Sequence, residues 1–342
     1  MNNIKDKRLL ICGTGAVGGY YGGMLVKAGL RNPTFDVTFI ARGENYKALK
    51  QDGLTLIREG KKEIIPINVV AIHELPLQEK FDYIFICVKS IDTKEAVKHI
   101  IPNVSEKTTV VSFQNGIENE EIIAAKVGQE HVIGANVYVT SRLTSPGVID
   151  QFGYNAVVIG EFSKIKTKRI LELKTILDTA GILCNISEDI SADLWNKLVW
   201  NASFNPVSVI TQKTVDKMMA DPGILELLKN IMEEVKRTAI AHGINIRTDT
   251  VEFNLNRSKG IIRINAAESQ DFTGFKTSML QDFERGKPLE LEELVGVVVR
   301  KAKEKNVSVT NIERVYNQIK QKITTGHVIA RSVSNEAISK TL

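Results

Sequence analysis

The sequence predicts an α/β protein, in which a doubly wound parallel sheet is followed by an all-helical C-terminal domain. Three observations support this prediction. Apolar strand patterns alternate with helical patterns up to about residue 187, which is typical of a sheet covered on both faces. A glycine-rich segment follows the first strand and opens the first helix. After residue 188 helical patterns dominate, and 342 residues are long for one core.

The first half of this alternating pattern supplies two strands around a helix of small residues. We predict strands over 8–13 and 36–42, and a helix over 15–29 that ends at Gly29. The segments 53–59 and 63–71 then form either a hairpin or an excursion from the sheet. The next predicted elements are a buried strand over 81–90, a helix over 92–104, a buried strand over 108–116, a helix near 118–127 and a strand over 131–143.

The pattern changes near the end of the sheet. Residues 145–161 resemble a hairpin, and a helix near 164–180 and a strand over 181–186 follow. The later predicted helices cover 190–211, 222–242, 287–305 and 310–323. We therefore divide the chain into a dinucleotide-binding domain over 1–187, a helical substrate domain over 188–325 and a tail over 326–342. The tail is polar and weakly periodic, so it is either mobile or an appended segment.

The composition excludes several classes of function. The chain is 43% hydrophobic and 25% charged, with a formal net charge of +5, as expected for a globular protein that attracts anionic metabolites. No dense basic block is interleaved with aromatic residues, so we expect no nucleic-acid partner. No apolar run is long enough to span a membrane, so we expect no membrane partner. Cys12, Cys87 and Cys184 lie in apolar runs without metal-ligand spacing, which indicates reduced thiols, no metal and a cytoplasmic location.

The glycine-rich segment has the sequence Gly13-Thr14-Gly15-Ala16-Val17-Gly18, a GxGxxG motif. In a strand–turn–helix context the first glycine permits the tight turn and the second lets a pyrophosphate approach the backbone. The third lets helix and strand pack closely. The helix N-terminus then faces the anion. The motif therefore predicts a Rossmann-type dinucleotide site, against the alternative of a merely structural glycine turn.

The end of the second strand predicts which dinucleotide binds. An acidic residue there would bind the ribose 2′-hydroxyl of NAD, whereas an arginine would favour the 2′-phosphate of NADP. Arg42 lies in this region, and the first acidic residue after it is Glu44. The planar guanidinium matches phosphate geometry, so we expect NADPH/NADP⁺ as cofactor. The alternative is a solvated surface arginine.

Two later strands also end in polar residues. Ligands of open parallel sheets lie outside the carboxyl ends of the strands. Lys89 follows one such strand and is a candidate for a cofactor ribose or a substrate carboxylate. Asn115 follows the next strand and is a candidate for a contact near the nicotinamide. Because Asn-Gly pairs are common in turns, Asn115 and Gly116 are equally consistent with an ordinary turn.

A third group of polar residues lies in the segment ADLWNKLVWNASFNP. Lys197, Asn201 and Asn205 are spaced by four residues, so they lie near one face of a helix that is otherwise apolar. A reductase needs a proton donor and a positive charge beside the carbonyl oxygen that receives charge during hydride transfer. Lys197 can supply both, and the two amides can bind substrate oxygens. The alternative is an amphipathic helix whose polar positions are solvated.

These residues lie in a stretch, WNKLVWNASFNPVSVIT, that resembles the signature helix of ketopantoate reductases (2-dehydropantoate 2-reductases). The stretch FKTSMLQDFERGKPLELEELVGVVV, residues 275–299, resembles the second signature of that family. The segments GTGAVGG, FICVKS and SFQNG occur in the expected order. The resemblance implies NADPH-dependent reduction of 2-dehydropantoate to (R)-pantoate, a step toward pantothenate and coenzyme A.

The resemblance also implies roles for individual residues. It makes Lys197 the general acid, which also contacts the substrate. It assigns substrate contacts to Asn115, Asn201, Asn205 and Ser278, and cofactor contacts to Lys89, Asn115, Glu290 and the backbone of Thr140. Ser278 could instead cap a helix, because it precedes the segment MLQD. Glu290 could be a solvated helix charge like Glu292 and Glu293.

One position departs from the family pattern and keeps alternatives open. Val215 stands where the resemblance predicts an asparagine that contacts the substrate. This departure motivates one alternative, an NADPH-dependent reductase of another small-molecule 2-oxo acid. A second alternative, which the glycine motif and Arg42 would suit, is an NADPH sensor without catalysis. The polar stripe on the signature helix argues against the sensor, which needs no proton donor. A homodimer through the helical domain is compatible with the sequence, although no motif indicates it.

Overall fold

The computed structural model describes residues 7–31, 35–260 and 272–339. The chain divides into two compact units, Met1–Leu194 and Trp195–Leu342. The division falls within a helix, α6 (Ile190–Thr211), a few residues after the boundary expected from the change in sequence pattern.

The first unit is built around a ten-stranded sheet. Its strands are β1 (Lys7–Cys12), β2 (Phe35–Ile40), β3 (Leu54–Arg58), β4 (Lys61–Ile65), β5 (Asn68–Val70), β6 (Tyr83–Ile86), β7 (Thr109–Ser112), β8 (Val132–Ser145), β9 (Val148–Gly160) and β10 (Leu183–Ile186). Its helices are α1 (Ala16–Arg31), α2 (Gly43–Asp52), α3 (Thr93–Ile100), α4 (Asn119–Val127) and α5 (Lys168–Thr179).

The strand order confirms the predicted doubly wound fold. One part of the sheet runs β5-β2-β1-β6-β7-β8 with every neighbouring pair parallel, which is the Rossmann order 3-2-1-4-5-6. The order reverses between β1 and β6, so the carboxyl end of β1 lies at the topological switch point. The strands β9, β3, β4 and β10 extend the sheet beyond β8.

Alternate residues of the central strands enter two cores on opposite faces of the sheet. Leu9 and Ile11 of β1 pack on one face with Tyr20 and Leu25 of α1. Leu10 packs in the second core, which also contains buried residues of α3 and α4. Burial on both faces explains why these strands read as continuous apolar runs. Cys12, Cys87 and Cys184 are buried free thiols, and burial raises the pKa of Cys12 and of Cys184 to about 12.

Three predicted elements of this unit differ in detail. The hairpin expected within 145–161 is wrong, because β9 is one long strand that pairs antiparallel with β8. The turn between β8 and β9 includes Gly147, whose positive φ of 76° favours glycine. Helix α1 continues past Gly29 to Arg31. The segment 53–71 forms the antiparallel pair β3–β4 and a separate strand, β5, that joins the opposite edge of the parallel sheet.

The described part of the second unit contains helices and no strand. After α6 these are α7 (Val215–Met219), α8 (Pro222–Ala241), α9 (Thr250–Ser258), α10 (Ser278–Glu284), α11 (Val297–Glu304) and α12 (Thr310–Ser339). The short helices α7, α9 and α10 were not predicted. The helix expected from residue 287 begins only at Leu291, and Glu292–Gly296 forms a π-helical turn that leads into α11.

Helix α12 is longer than predicted and takes in most of the segment that was expected to be a tail, up to Ser339. Residues 340–342 of that segment lie outside the described residues. Among the helices of the described ranges, none combines the length and the apolar character needed to cross a membrane.

Candidate active site

The glycine motif forms the turn between β1 and α1, and its glycines are required for different reasons. Gly13 has a φ of 103°, and a Cβ atom there would lie 2.8 Å from the backbone nitrogen of Val88. A Cβ atom on Gly18 would lie 2.0 Å from the carbonyl oxygen of Gly13. By contrast, a Cβ atom on Gly15 would meet no atom within 4 Å. The turn is therefore tightly packed on its inner side and open at Gly15, the position at which a pyrophosphate would approach the backbone.

Side chains from distant segments hold the turn in place. The Thr14 hydroxyl donates to the carbonyl oxygen of Ile40 at 2.9 Å, which ties the turn to the end of β2. Asn45 Nδ2 donates to the carbonyl oxygen of Thr14 at 2.6 Å, and Asn45 Oδ1 accepts from the backbone N–H of Gly147 at 2.8 Å. The Ser141 hydroxyl donates to the carbonyl oxygen of Ala16 at 3.2 Å. Asn45 and Ser141 were not among the predicted residues, because their partners lie far away along the chain.

Arg42 lies where the sequence analysis expects it, directly after β2 and before α2. Its side chain is 89% exposed, and its Nη2 is 2.8 Å from Oδ2 of Asp92. Asp92 ends a 3₁₀ turn, Ser90–Asp92, that follows β6. Because β1 lies between β2 and β6, this ion pair bridges the carboxyl end of β1, from which the glycine turn emerges. Asp92 was not among the predicted site residues.

Lys89 and Asn115 follow β6 and β7, and a buried polar network connects their segments. Lys89 is exposed and Asn115 is half-buried. The carbonyl oxygen of Asn115 accepts from the Ser90 hydroxyl at 2.5 Å and from Asn119 Nδ2 at 2.7 Å. The Oδ1 atom of Asn119 accepts from the Thr93 hydroxyl at 2.8 Å. These bonds fix the backbone at the ends of both strands, so the two candidate side chains project from a rigid base.

Thr140 lies at an irregularity of the β8–β9 hairpin. The register between the strands shifts between Val139 and Ser141, so the backbone of Thr140 departs from the regular ladder. Opposite it, Gly153 has a φ of 75°. Bulges of this kind occur often beside active sites, because they redirect backbone groups. The backbone of Thr140 was the predicted point of contact with the cofactor.

In the second unit, α6 carries the stripe of Lys197, Asn201 and Asn205. Lys197 is half-buried, Asn201 is 7% exposed and Asn205 is 1% exposed. The Oδ1 atom of Asn205 is buried and has no hydrogen-bond partner among the residues that the structure describes. A buried acceptor without a partner costs about 1–3 kcal/mol, a cost that a ligand group donating to it would remove.

The residues around this stripe are apolar or engaged elsewhere. Trp195 is buried and stacks on His242 with ring centroids 6.4 Å apart. Trp200 stacks on Phe204 at 4.8 Å, and its indole nitrogen donates to the Ser258 hydroxyl at 3.0 Å. The two buried serines of α6 donate to carbonyl oxygens of the helix itself, so the amides of the stripe are the buried polar side chains of α6 that remain for a ligand.

Ser278 is the first residue of α10 and is exposed. The cap of that helix is Thr277, whose hydroxyl accepts from the backbone N–H of Leu280 at 3.2 Å. The capping role considered for Ser278 thus belongs to its neighbour. Val215, the position that departs from the family pattern, is fully buried, and its backbone N–H donates to the carbonyl oxygen of Phe275 at 2.9 Å.

The three acidic residues near the end of the second signature have different surroundings. Glu290 is only 5% exposed and directly precedes the helix that begins at Leu291. Glu292 is exposed and accepts from the Tyr316 hydroxyl at 2.6 Å, and Lys320 lies 3.4 Å away. Glu293 is half-buried, and burial raises the pKa of its carboxyl group. The π turn that holds Glu292 and Glu293 is a feature found frequently at functional sites.

Comparisons with known proteins agree with this arrangement. A family model described as ketopantoate reductase PanE/ApbA matches residues 9–164, and the model of its C-terminal part matches residues 189–323. A 2-dehydropantoate 2-reductase from Nostoc sp. is 30% identical over 322 residues, which cover 93% of this chain and 95% of the relative.

Solved structures give the same result. A crystal structure of 2-dehydropantoate 2-reductase from Geobacter metallireducens GS-15 has a TM-score of 0.82 and 28% identity, and covers 92% of this chain and 99% of that one. D-mandelate dehydrogenase, solved with NADH and anilino(oxo)acetate, has a TM-score of 0.83 and 21% identity over 93% of this chain and 98% of that one, and so shares the fold. The two family models and the relatives that span nearly the whole chain lead to one conclusion: this chain belongs to the ketopantoate reductase PanE/ApbA family.

Proposed function

We propose that this protein reduces the C2 carbonyl group of 2-dehydropantoate to the alcohol of (R)-pantoate, with NADPH as the preferred nicotinamide cofactor. The observation that carries this proposal is the stripe on α6, with a lysine and two buried amides on one helical face and an unpartnered acceptor on Asn205. The family relatives that bear the name 2-dehydropantoate 2-reductase support the choice of substrate.

The residues of the stripe suit the charges that this reaction develops. A bound NADPH supplies the hydride that reaches C2. The carbonyl oxygen then becomes an alkoxide, and the Lys197 ammonium stabilises this charge and donates the proton that completes the alcohol. Asn205 Oδ1 accepts a hydrogen bond from the substrate hydroxyl, while Asn201 and Ser278 donate hydrogen bonds to the carboxylate. This division of roles satisfies the buried acceptor that the protein leaves unpaired.

The glycine turn and the residues that follow the strands suit the dinucleotide. The open space at Gly15 fits a pyrophosphate, and the exposed guanidinium of Arg42 fits a 2′-phosphate. Lys89 and Asn115 lie on the same edge of the sheet and are the proposed contacts to the nicotinamide riboside. Glu290 and the backbone of Thr140 are further proposed cofactor contacts.

The test is the oxidation of NADPH, followed by absorbance, in the presence of 2-dehydropantoate. We expect Lys197→Ala to lower kcat by about 10²–10⁴-fold, the range typical of a lost general acid, while the melting temperature stays near that of the wild type. Lys229→Ala removes an exposed lysine of α8 and serves as the matched control. Near-normal turnover by a folded Lys197→Ala variant would contradict the proposed role.

Val215 justifies one second candidate within the same enzyme class. Its side chain is aliphatic and fully buried, and it offers no amide to the substrate where the family pattern has an asparagine. A panel of 2-oxo acids assayed with the same enzyme separates the two candidates. A kcat/KM at least tenfold higher for another 2-oxo acid would replace 2-dehydropantoate as the substrate.

We further propose a cytoplasmic location, because the chain carries three buried free thiols and no disulfide among the residues described. Such cysteine usage is typical of a reducing compartment. Fractionation of cells that express the tagged protein checks this location.

A further inference from the structure

The ion pair between Arg42 and Asp92 brings a negative charge to the place where the cofactor phosphate is proposed to bind. Oδ2 of Asp92 lies 2.8 Å from Nη2 of Arg42. The two residues follow β2 and β6, the two neighbours of β1, so the carboxylate approaches the site from the strand opposite Arg42. A carboxylate that reaches a dinucleotide site is the group that recognises a ribose diol.

The side chain of Asp92 pairs with Arg42, although its place in the chain would also suit it to cap α3. It occupies the N-cap of α3, where an aspartate usually accepts from the first backbone N–H groups of its own helix. Its side chain makes no such bond. The backbone of Asp92 has a φ of −96° and a ψ of 0°, outside the extended region from which an N-cap side chain reaches the N–H groups of the second and third helical residues. The carboxylate of Asp92 is therefore directed to Arg42 instead of its helix.

The two side chains favour different cofactors. The guanidinium attracts the dianionic 2′-phosphate of NADP, and the carboxylate repels it. The carboxylate accepts hydrogen bonds from the 2′- and 3′-hydroxyl groups of NAD, which carry no charge to be repelled. The side chain of Asp92 is 35% exposed and that of Arg42 is 89% exposed, so both can turn toward a ligand.

We propose that Asp92 is a second determinant of cofactor choice, which supports NAD(H) binding and weakens NADP(H) binding, so that the site accepts both dinucleotides. This inference rests on the proposed function, because it takes the glycine turn and Arg42 as the cofactor site. Arg42 and Asp92 then act in opposite directions on the ratio of the two affinities.

Isothermal titration calorimetry with NADP⁺ and NAD⁺ tests the proposal without any turnover. We expect Asp92→Asn, which keeps the shape and removes the charge, to tighten NADP⁺ binding about three- to tenfold, the size of one partly screened charge interaction. The same variant should weaken NAD⁺ binding, because an amide is a poorer acceptor for a ribose diol. The tightening should shrink as salt is added.

Two further variants make the result specific. Glu95→Gln removes an exposed carboxylate one turn further along α3, and we expect it to leave the ratio of the affinities unchanged. Arg42→Ala should weaken NADP⁺ binding and spare NAD⁺.

Each contrary result has its own meaning. Unchanged affinities for Asp92→Asn, or shifts of equal size and sign for both dinucleotides, would overturn the role of Asp92 and leave the cofactor site intact. Weaker NADP⁺ binding by this variant would also overturn the role of Asp92, because it would show that Asp92 positions Arg42 to bind the phosphate. Failure of the wild-type protein to bind either dinucleotide would overturn the cofactor site itself and the inference with it.

Discussion

Gly15 and Gly18 lie three positions apart in one turn, yet their surroundings predict opposite defects. Gly18→Ala places a Cβ atom 2.0 Å from a backbone oxygen, so the turn must shift. We expect a loss of stability of about 1–3 kcal/mol, the usual cost of overpacking, and a lower melting temperature. Gly15→Ala meets no protein atom within 4 Å. It should keep the melting temperature and weaken dinucleotide binding, measured by calorimetry. A Gly15→Ala variant with full affinity would show that the pyrophosphate does not approach this position.

Glu293 gives a pH-dependent prediction. Burial raises the pKa of its carboxyl group in the folded state above the ordinary value of 4.5. The folded state therefore holds the proton more tightly than the unfolded state, and the protein loses stability as the pH rises through the raised pKa. Because the side chain is only half-buried, solvent screens much of this effect, and we expect a smaller loss than a fully buried carboxyl group would give.

Glu293→Gln stays neutral at every pH and should remove this loss. We expect the variant to be more stable than the wild type at neutral pH and equal to it near pH 4, in thermal denaturation at both values. An advantage of the same size at both pH values would point to packing instead of charge.

At the level of single residues, local roles could be predicted from the sequence and long-range partners could not. The glycine motif and Arg42 were identified because each function depends on a position relative to one strand. Asn45 and Asp92 were missed because their partners, Thr14 and Arg42, lie 31 and 50 residues away. Whether Thr277 or Ser278 caps α10 depends on the exact residue at which the helix begins. Apolar periodicity does not locate a helix start to within one residue.

At the level of elements, the N-terminus of α12 depends on a carboxylate from another helix. Glu234 of α8 is 3% exposed, and its Oε1 accepts from the backbone N–H and the Nδ2 of Asn311 at 2.9 and 2.8 Å. Its Oε2 accepts from the backbone N–H of Ile312 at 2.9 Å. A negative charge at this end also complements the helix dipole.

Glu234→Gln replaces one acceptor oxygen with an amide group that faces an N–H donor. We expect it to lower the free energy of unfolding by about 1–3 kcal/mol, measured in urea. Glu226→Gln changes an exposed glutamate of the same helix and should have almost no effect. Equal stability of both variants would mean that water replaces the lost bonds at the start of α12.

Element types were predictable where one period ran through a long segment. Helix α6 has the predicted bounds, because its apolar pattern continues without a break. The hairpin expected within 145–161 was wrong, since turn-forming residues inside β9, such as Gly153, occupy an irregular part of the ladder instead of a chain reversal. The π turn at Glu292–Gly296 has no signature in apolar periodicity, because one widened turn changes the phase by a single residue.

At the level of the whole molecule, the sequence pattern changes near residue 188, and the structure divides into two units between Leu194 and Trp195. Alternation of strands and helices requires a sheet with two covered faces, and the first unit has one. The helical periods after residue 188 require packing of helices alone, as in the second unit. Fold class follows from such patterns because burial imposes them over long stretches. The candidate site depends on a few side chains, so it needs the structure.

The distribution of two rare residue types gives each unit its own built-in reporter. The three cysteines lie in the first unit, and the two tryptophans, Trp195 and Trp200, lie in the second. Thiols that are buried and hard to ionise react with labelling reagents only after the surrounding sheet opens. Indole emission follows the environment of α6. Thiol labelling and tryptophan fluorescence, recorded during one denaturation of the unaltered chain, therefore follow the unfolding of the two units separately.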